Sequence, residues 1–152
     1  MKSYWQLLKV IVRHKWYVFI AGRRLRVPIW RLVIHDLSKF SQAEFGPYAR
    51  NFYGDKDDPA GFDRAWVHHQ NCNTHHWEHW IDRSDNKPQA MPEVAVREMV
   101  ADWFAAGKAY NGVWPDPFHY TWLWDNTTKM NLHRQTWAHI LVVLDESGKY
   151  TW

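Results

Sequence analysis

No segment of this chain alternates apolar and polar side chains over the length of a strand. Apolar residues return instead every third or fourth position, between prolines and glycines spaced like helix ends. Such a period buries a face only when helices pack on one another, and the β-branched residues fall inside the same helical patterns. The expected fold is therefore all-α, a compact bundle of about six helices. With 152 residues and no internal repeat or low-complexity tract, it is read as one domain over residues 1–152.

The helices follow from their punctuation. Residues 3 to about 20 carry Trp5, Leu8, Val12 and Phe19 near helical spacing, with His14 in the middle and Gly22 as the stop. Pro28 opens a second helix that ends near Lys39 and delivers His35 and Asp36. Ser41 and Glu44 have the spacing of a capping box, which starts a third helix through Phe52, ended by Gly54. A fourth helical stretch, residues 62–80, is broken around Asn71 to Thr74. Pro92 opens a fifth whose stripe is Val96, Met99, Val100 and Trp103, with Asp102 beside it and Gly107 at its end. Tyr110 to Asp125 mixes Gly, Pro and aromatics without a period and is read as an irregular wall. Residues 127–144 form the closing helix.

Charge and cysteine usage exclude several classes. A net charge of +3, with one dense basic run at Arg23, Arg24 and Arg26, does not make a surface for a stable nucleic-acid complex. The single cysteine, Cys72, rules out an internal disulfide framework and suits a reducing cytoplasm. Lys9, Arg13, His14 and Lys15 interrupt the N-terminal apolar stretch too early for a signal core or a membrane span. A cytoplasmic protein without a membrane partner is expected.

Histidine is where the composition departs from the ordinary. Five of the ten histidines fall between His68 and His79, against a background of twelve tryptophans. Imidazoles clustered with carboxylates are the ligand set of borderline divalent cations such as Mn²⁺, Fe²⁺, Co²⁺ and Zn²⁺. His119, His133, His139 and His79 are read as structural, and the tryptophans beside the cluster as core that can also stack on a base.

The order of these residues resembles the HD-domain superfamily of metal-dependent phosphohydrolases. Across residues 14 to 102, His14 matches the first ligand, His35-Asp36 the signature pair and Asp102 the last. His35-Asp36-Leu37-Ser38-Lys39 is similar to the extended form of two-metal members, with Ser38 where they have Gly. His69 and the pair His75-His76 occupy the order of the second-metal ligands, more closely spaced than in the family, so that the assignment among His68, His69, His75 and His76 stays open. The chain also resembles a small group of bacterial and phage proteins in which His-Asp-Leu-Ser-Lys-Phe and the stretch from Asn73 to Trp80 recur; that likeness carries no substrate.

The resemblance implies an HD-like fold, one or two divalent cations, and hydrolysis of a phosphomonoester or phosphodiester by metal-bound hydroxide. Asp36 is the natural bridging ligand. Lys39 is the candidate to stabilise charge on a phosphate oxygen, and Glu98, one turn before Asp102, is the candidate to orient a ligand. A nucleotide is the favoured small phosphorylated substrate, by analogy with the superfamily. Two rivals remain open: a non-enzymatic, metal-stapled protein-binding module, and a zinc peptidase using His75-x-x-Glu78-His79.

Overall fold

In the computed structural model, which describes residues 2–150 and 152, the helical periodicity becomes seven α-helices among the described residues. They are α1 (Lys2–Arg24), α2 (Ile29–Ile34), α3 (Phe45–Tyr53), α4 (Pro59–Cys72), α5 (Glu93–Asn111), α6 (Thr121–Asn126) and α7 (Arg134–Ser147). Short 3-10 helices occupy Leu37–Phe40, Trp77–Trp80 and Thr127–Lys129. No strand forms among the described residues; Ile81 and Pro88 make one isolated bridge. No described helix is long and apolar enough to cross a membrane.

α5 is the axis of the bundle. Its stripe of Val96, Met99, Val100 and Trp103 is buried as expected, and Ala95, Ala101, Phe104 and Ala105 are buried with it, so nearly the whole circumference is covered. α1 and α7 pack on α5, α3 packs on α1, and α4 on α3. The largest core cluster joins α5 to Leu123, Ile140, Val143 and Leu144. A smaller one joins Leu7 and Ile11 of α1 to Tyr48, Ala49 and Ala65.

Several boundaries differ from the sequence expectation, each for a packing reason. Gly22 does not stop α1. It lies inside the helix because a Cβ there would sit 2.3 Å from Leu32 Cδ2, so glycine lets α2 approach. The helix ends in a Schellman arrangement, Val27 N–H donating to Gly22 O at 2.8 Å, with Arg26 in the left-handed region at φ 60°. Gly107 is likewise interior to α5, where a Cβ would meet Pro115 Cγ at 2.4 Å, and Gly112 at φ 76° ends the helix. On α1 the inward face is Leu7, Ile11 and Val18, whereas Trp5 and Val12 of the expected stripe face outward. The closing helix begins only at Arg134, where the His133 side chain accepts from Gln135 N–H and caps it.

Candidate metal centre

The second helix does not run to Lys39; it stops at Ile34, and the break makes the site. His35 turns to φ −48°, ψ 127°, and Asp36 takes the left-handed conformation at φ 54°, ψ 23°. Asp is one of the few residues that tolerate that region, at a cost of order 1–3 kcal/mol. α1 supports the break: the Lys15 ammonium donates to Val33 O at 3.2 Å and to His35 O, two carbonyls freed by the helix end. The corner turns both His35 and Asp36 into the interior, 2% and 1% exposed. Ser38 sits in the following 3-10 helix with an ordinary φ, so the residue in the motif's Gly position needs no glycine; the left-handed residue is Asp36 itself.

Two groups of ligand atoms converge on Asp36. In the first, α1 supplies His14 and α5 supplies Asp102, with Nε2 and Oδ1 2.7 Å apart, while His35 Nε2 lies 3.6 Å from the same oxygen and 3.5 Å from Asp36 Oδ2. In the second, Asp36 Oδ1 lies 3.3 Å from His69 Nε2 and 3.4 Å from His75 Nε2, and His76 Nε2 is 2.9 Å from His69 Nε2. One ligand atom from each member of a group lies within 4.8 Å of the others, a spread that could hold a cation in each. The closely spaced histidines reach one place because α4 ends at Cys72: His69 is on its last turn, and the turn after Asn73 folds His75 and His76 back beside it.

Buried carboxylates stand behind the imidazoles. Glu98 Oε1 accepts from His35 Nδ1 at 2.9 Å and lies 3.5 Å from His75 Nδ1, while its Oε2 accepts from Arg31 Nε at 2.6 Å. Arg31 also donates to Thr74 Oγ1 at 2.7 Å, tying α2 to the turn that carries His75 and His76. Glu44 Oε2 accepts from His69 Nδ1 at 2.9 Å. With Nδ1 donating outward, Nε2 is the atom that faces the two groups, and it becomes the ligand once its own proton is lost. Three of these inward atoms, His35 Nε2, Asp36 Oδ1 and His75 Nε2, are buried without a hydrogen-bond partner.

The electrostatics favour cations. Burial pushes His35 down, but Asp36, with Asp102 and Glu98, outweighs it and raises the imidazole to about 10. Burial pushes Asp36 and Asp102 up, yet His35 and Lys39 around Asp36, and His14 and His35 around Asp102, hold both carboxyls well below the usual range. Burial, reinforced by His75 and His69, holds His76 well below its ordinary value, in the neutral form that ligates. Lys39 Nζ lies 2.5 Å from Asp36 Oδ2. Burial lowers its ammonium, but Asp36 and Asp102 raise it further and keep it charged.

Two cavities, or lobes, open onto the groups. The larger, about 520 Å³, has His75, His76 and Asp102 in its wall and is otherwise dominated by aromatics such as Trp77, Trp103, Tyr120 and Trp122. The smaller, about 300 Å³, has His14 and Lys39 in its wall together with Tyr48, Phe52 and Tyr53. Trp66 and Tyr110 border both.

Other expectations are corrected. Ser41 and Glu44 make no capping box: Ser41 Oγ has no partner, and Glu44 is fully buried against His68 and His69. Its local explanation hid its role; the one available signal was that the segment follows directly on the His-Asp corner, so a helix starting there starts beside the cluster. The His75-x-x-Glu78-His79 stretch does not form one α-helix. His75 lies in a turn and Glu78-His79 in a 3-10 helix, so the two histidines do not share the α-helical face the motif requires, and His79 joins none of the metal-competent groups among the described residues. His119 is exposed on Asp116, away from the site.

A profile for a family of unknown function (DUF5662) matches residues 3–146 of the chain. No curated protein and no solved structure matches it.

Proposed function

The chain belongs to that family of unknown function, and from its own side chains we propose that it is a metal-dependent phosphohydrolase acting on a nucleotide-like phosphoester. One or two divalent cations would be held by His14, His35, Asp36 and Asp102, and by Asp36, His69, His75 and His76.

The observation that carries the reading is Asp36. Its carboxylate is 1% exposed and turns one oxygen toward each histidine group, and beside it the Nε2 atoms of His35 and His75 are also buried without partners. A buried polar atom without a hydrogen bond costs about 1–3 kcal/mol when isolated, a cost moderated here by acidic and imidazole neighbours 3.3–3.6 Å away. A cation in each group satisfies all three. Bound ions of this class supply Lewis acidity and acidify a water to near neutrality.

The chain's own residues would do the rest. Glu98 and Glu44 hold the Nδ1 protons of His35 and His69 and so fix the ring orientations. Lys39, charged and in the wall of the smaller lobe, can set positive charge against a phosphoryl oxygen. The aromatic wall of the larger lobe offers flat apolar surface to a base. Two lobes that each reach the ligand groups leave room for a substituent on either side of a phosphoryl group, which favours a diester over a monoester. The order of His14, His35-Asp36 and Asp102 supports kinship with the HD phosphohydrolases, and the lone thiol supports work in the cytoplasm.

The rival, a protein-binding module stapled by metal, draws on the exposed Trp5, Trp16 and Trp30. It requires ligands closed to substrate, whereas His75, His76 and Asp102 line an open lobe. Elemental analysis of the purified protein beside folded Asp36→Ala and His35→Ala variants separates the readings. Near-stoichiometric transition metal lost in both variants, with release of 4-nitrophenol from bis(4-nitrophenyl) phosphate faster than from the monoester, is expected. Protein that neither contains metal nor takes up added Mn²⁺ or Zn²⁺ overturns the hydrolase. Metal uptake without turnover of either ester moves the weight to the module.

A further inference from the structure

Glu44 is shared. Its Oε2 accepts from His69 Nδ1 on the side of the central groups, while its Oε1 lies 2.7 Å from Nδ1 of His68, which looks outward. His68 has a second neighbour of different chemistry. Cys72, one turn further along α4, places Sγ 3.7 Å from His68 Nε2 and 3.8 Å from Nδ1. Ligand atoms of Glu44, His68 and Cys72 all lie within 4.8 Å of one another.

We propose that Glu44, His68 and Cys72 form a separate, thiol-containing cation site at the outer edge of the centre, selective for a thiophilic divalent ion of the zinc class. The donor sets make the distinction. The two central groups offer only imidazole nitrogen and carboxylate oxygen, whereas this one adds sulfur, the donor that hard ions such as Mg²⁺ and Mn²⁺ do not seek.

The spacing fits as well. A tetrahedral zinc with sulfur at about 2.3 Å and imidazole nitrogen at about 2.0–2.1 Å places those two atoms about 3.5 Å apart. Nδ1 is the nitrogen that faces Glu44 Oε1, and the 3.8 Å between it and Sγ, with the 2.7 Å to Oε1 opening slightly, needs only a small side-chain adjustment on an accessible helix face. Cys72 is exposed and the His68 side chain is 42% exposed, so an ion has a path in, and water can complete the coordination. The inner ligand, Glu44, is fully buried and already oriented by two imidazoles.

The shared carboxylate gives the site a consequence. A cation that draws on Glu44 Oε1 acts on the group that holds His69, and His69 Nε2 faces Asp36 and His76. Occupancy outside then changes affinity inside, and by linkage the reverse factor is equal. The proposal itself stands whether or not the centre is catalytic.

The test uses Co²⁺ added to chelator-treated, reduced full-length protein. Cys72 is the only cysteine of the chain, so a thiolate-to-cobalt charge-transfer band in the near ultraviolet reports this site alone. The central groups report through visible d–d bands. A charge-transfer band that saturates near one equivalent is expected, absent in Cys72→Ser and at least tenfold weaker in affinity in His68→Ala, with the central d–d bands retained in both. Development of the d–d bands without the charge-transfer band overturns this site and leaves the central reading standing. A charge-transfer band indifferent to both His68→Ala and Glu44→Gln assigns the thiol to chance binding and also overturns it. Absence of every band overturns this site and the central one together.

Discussion

Glu98 Oε1 lies 2.9 Å from His35 Nδ1, and the pair joins the middle of α5 to the corner at which α2 breaks. The contact is buried on both sides and continues through Oε2 to Arg31, so the carboxylate is clamped between an imidazole and a guanidinium. A carboxylate held this way fixes the tautomer of the imidazole in front of it and raises its basicity toward a cation.

Glu98→Gln keeps the shape and removes the charge behind His35 and His75. Metal affinity and any metal-dependent turnover are expected to fall about 10–100-fold, the usual effect of losing such a partner. Competition titration against a chromophoric chelator measures the first quantity, with circular dichroism to show the fold retained. An unchanged affinity would mean that Glu98 only braces Arg31.

Bridging of two ions by Asp36 would have a stoichiometric signature. His14→Ala removes a candidate ligand of the first group and His76→Ala one of the second, so if the parent takes up two ions each variant is expected to keep about one. Asp36→Ala touches both groups and is expected to bind none tightly. Equilibrium dialysis with Mn²⁺ or Zn²⁺ gives the count. One retained ion in Asp36→Ala would make the two groups independent.

The histidine-rich stretch, the His-Asp pair and Asp102 were visible in the sequence because residue type and order carried them. Their geometry was not. His35 and Asp36 read as helix because Pro28, Leu32 and the apolar residues around them keep helical spacing up to the pair, and nothing local marks a left-handed aspartate; Lys15, twenty residues upstream, helps hold it. Glu44 read as a cap because a capping box is a local pattern, while its buried partners His68 and His69 lie on another helix. Gly22 and Gly107 read as stops for the same reason: close approach by Leu32 and Pro115 is a tertiary fact that outranks the local signal. α5 was legible as far as Gly107, since a helix covered on nearly all sides shows its burial in the residue types themselves.

Cation binding should depend on pH with a definite sign. In the cation-free protein His35 binds its proton up to about 10, because Asp36, Asp102 and Glu98 outweigh the effect of burial. An ion that takes Nε2 must displace that proton. Apparent affinity is therefore expected to rise with pH through the neutral and mildly alkaline range, by up to about tenfold per pH unit for one displaced proton, and to level off above about 10. Calorimetry in two buffers of different ionisation enthalpy measures the proton release. A pH-independent affinity would show that His35 is already neutral.

The same binding should stabilise the fold. At a free cation concentration one hundred times the Kd, linkage adds about 2.7 kcal/mol, which for a chain of this size corresponds to a rise of roughly 5–10 °C in Tm. Chelator is expected to reverse the shift and Asp36→Ala to abolish it. An equal shift in Asp36→Ala would place the stabilising ion elsewhere.

Gly107 separates helix propensity from packing. Ala at an interior helical position gains up to about 1 kcal/mol over Gly, but here its Cβ would meet Pro115 Cγ at 2.4 Å and Cδ at 3.1 Å, and a proline ring can give way only by a change of pucker. Overpacking costs about 1–3 kcal/mol, so Gly107→Ala is expected to lower stability in denaturant titration. A gain in stability would show that the Pro115 loop yields freely.

Lys15 offers the sharpest test of how the corner is made. Its ammonium serves the carbonyls of Val33 and His35, which the end of α2 leaves without helical partners, and it reaches them from α1 without itself belonging to either ligand group. Lys15→Met keeps most of the stem and withdraws the donor. The freed carbonyls then need other partners, at a cost of about 1–3 kcal/mol where water does not reach them, and the left-handed Asp36 loses part of its support. The expected result is a drop in metal affinity of about tenfold or more with helix content unchanged, read by the same dialysis and by circular dichroism. Lys15→Arg, which restores a donor at nearly the same reach, is expected to recover most of the affinity. Full affinity in Lys15→Met would locate the support of the corner in the Glu98 and Arg31 clamp alone.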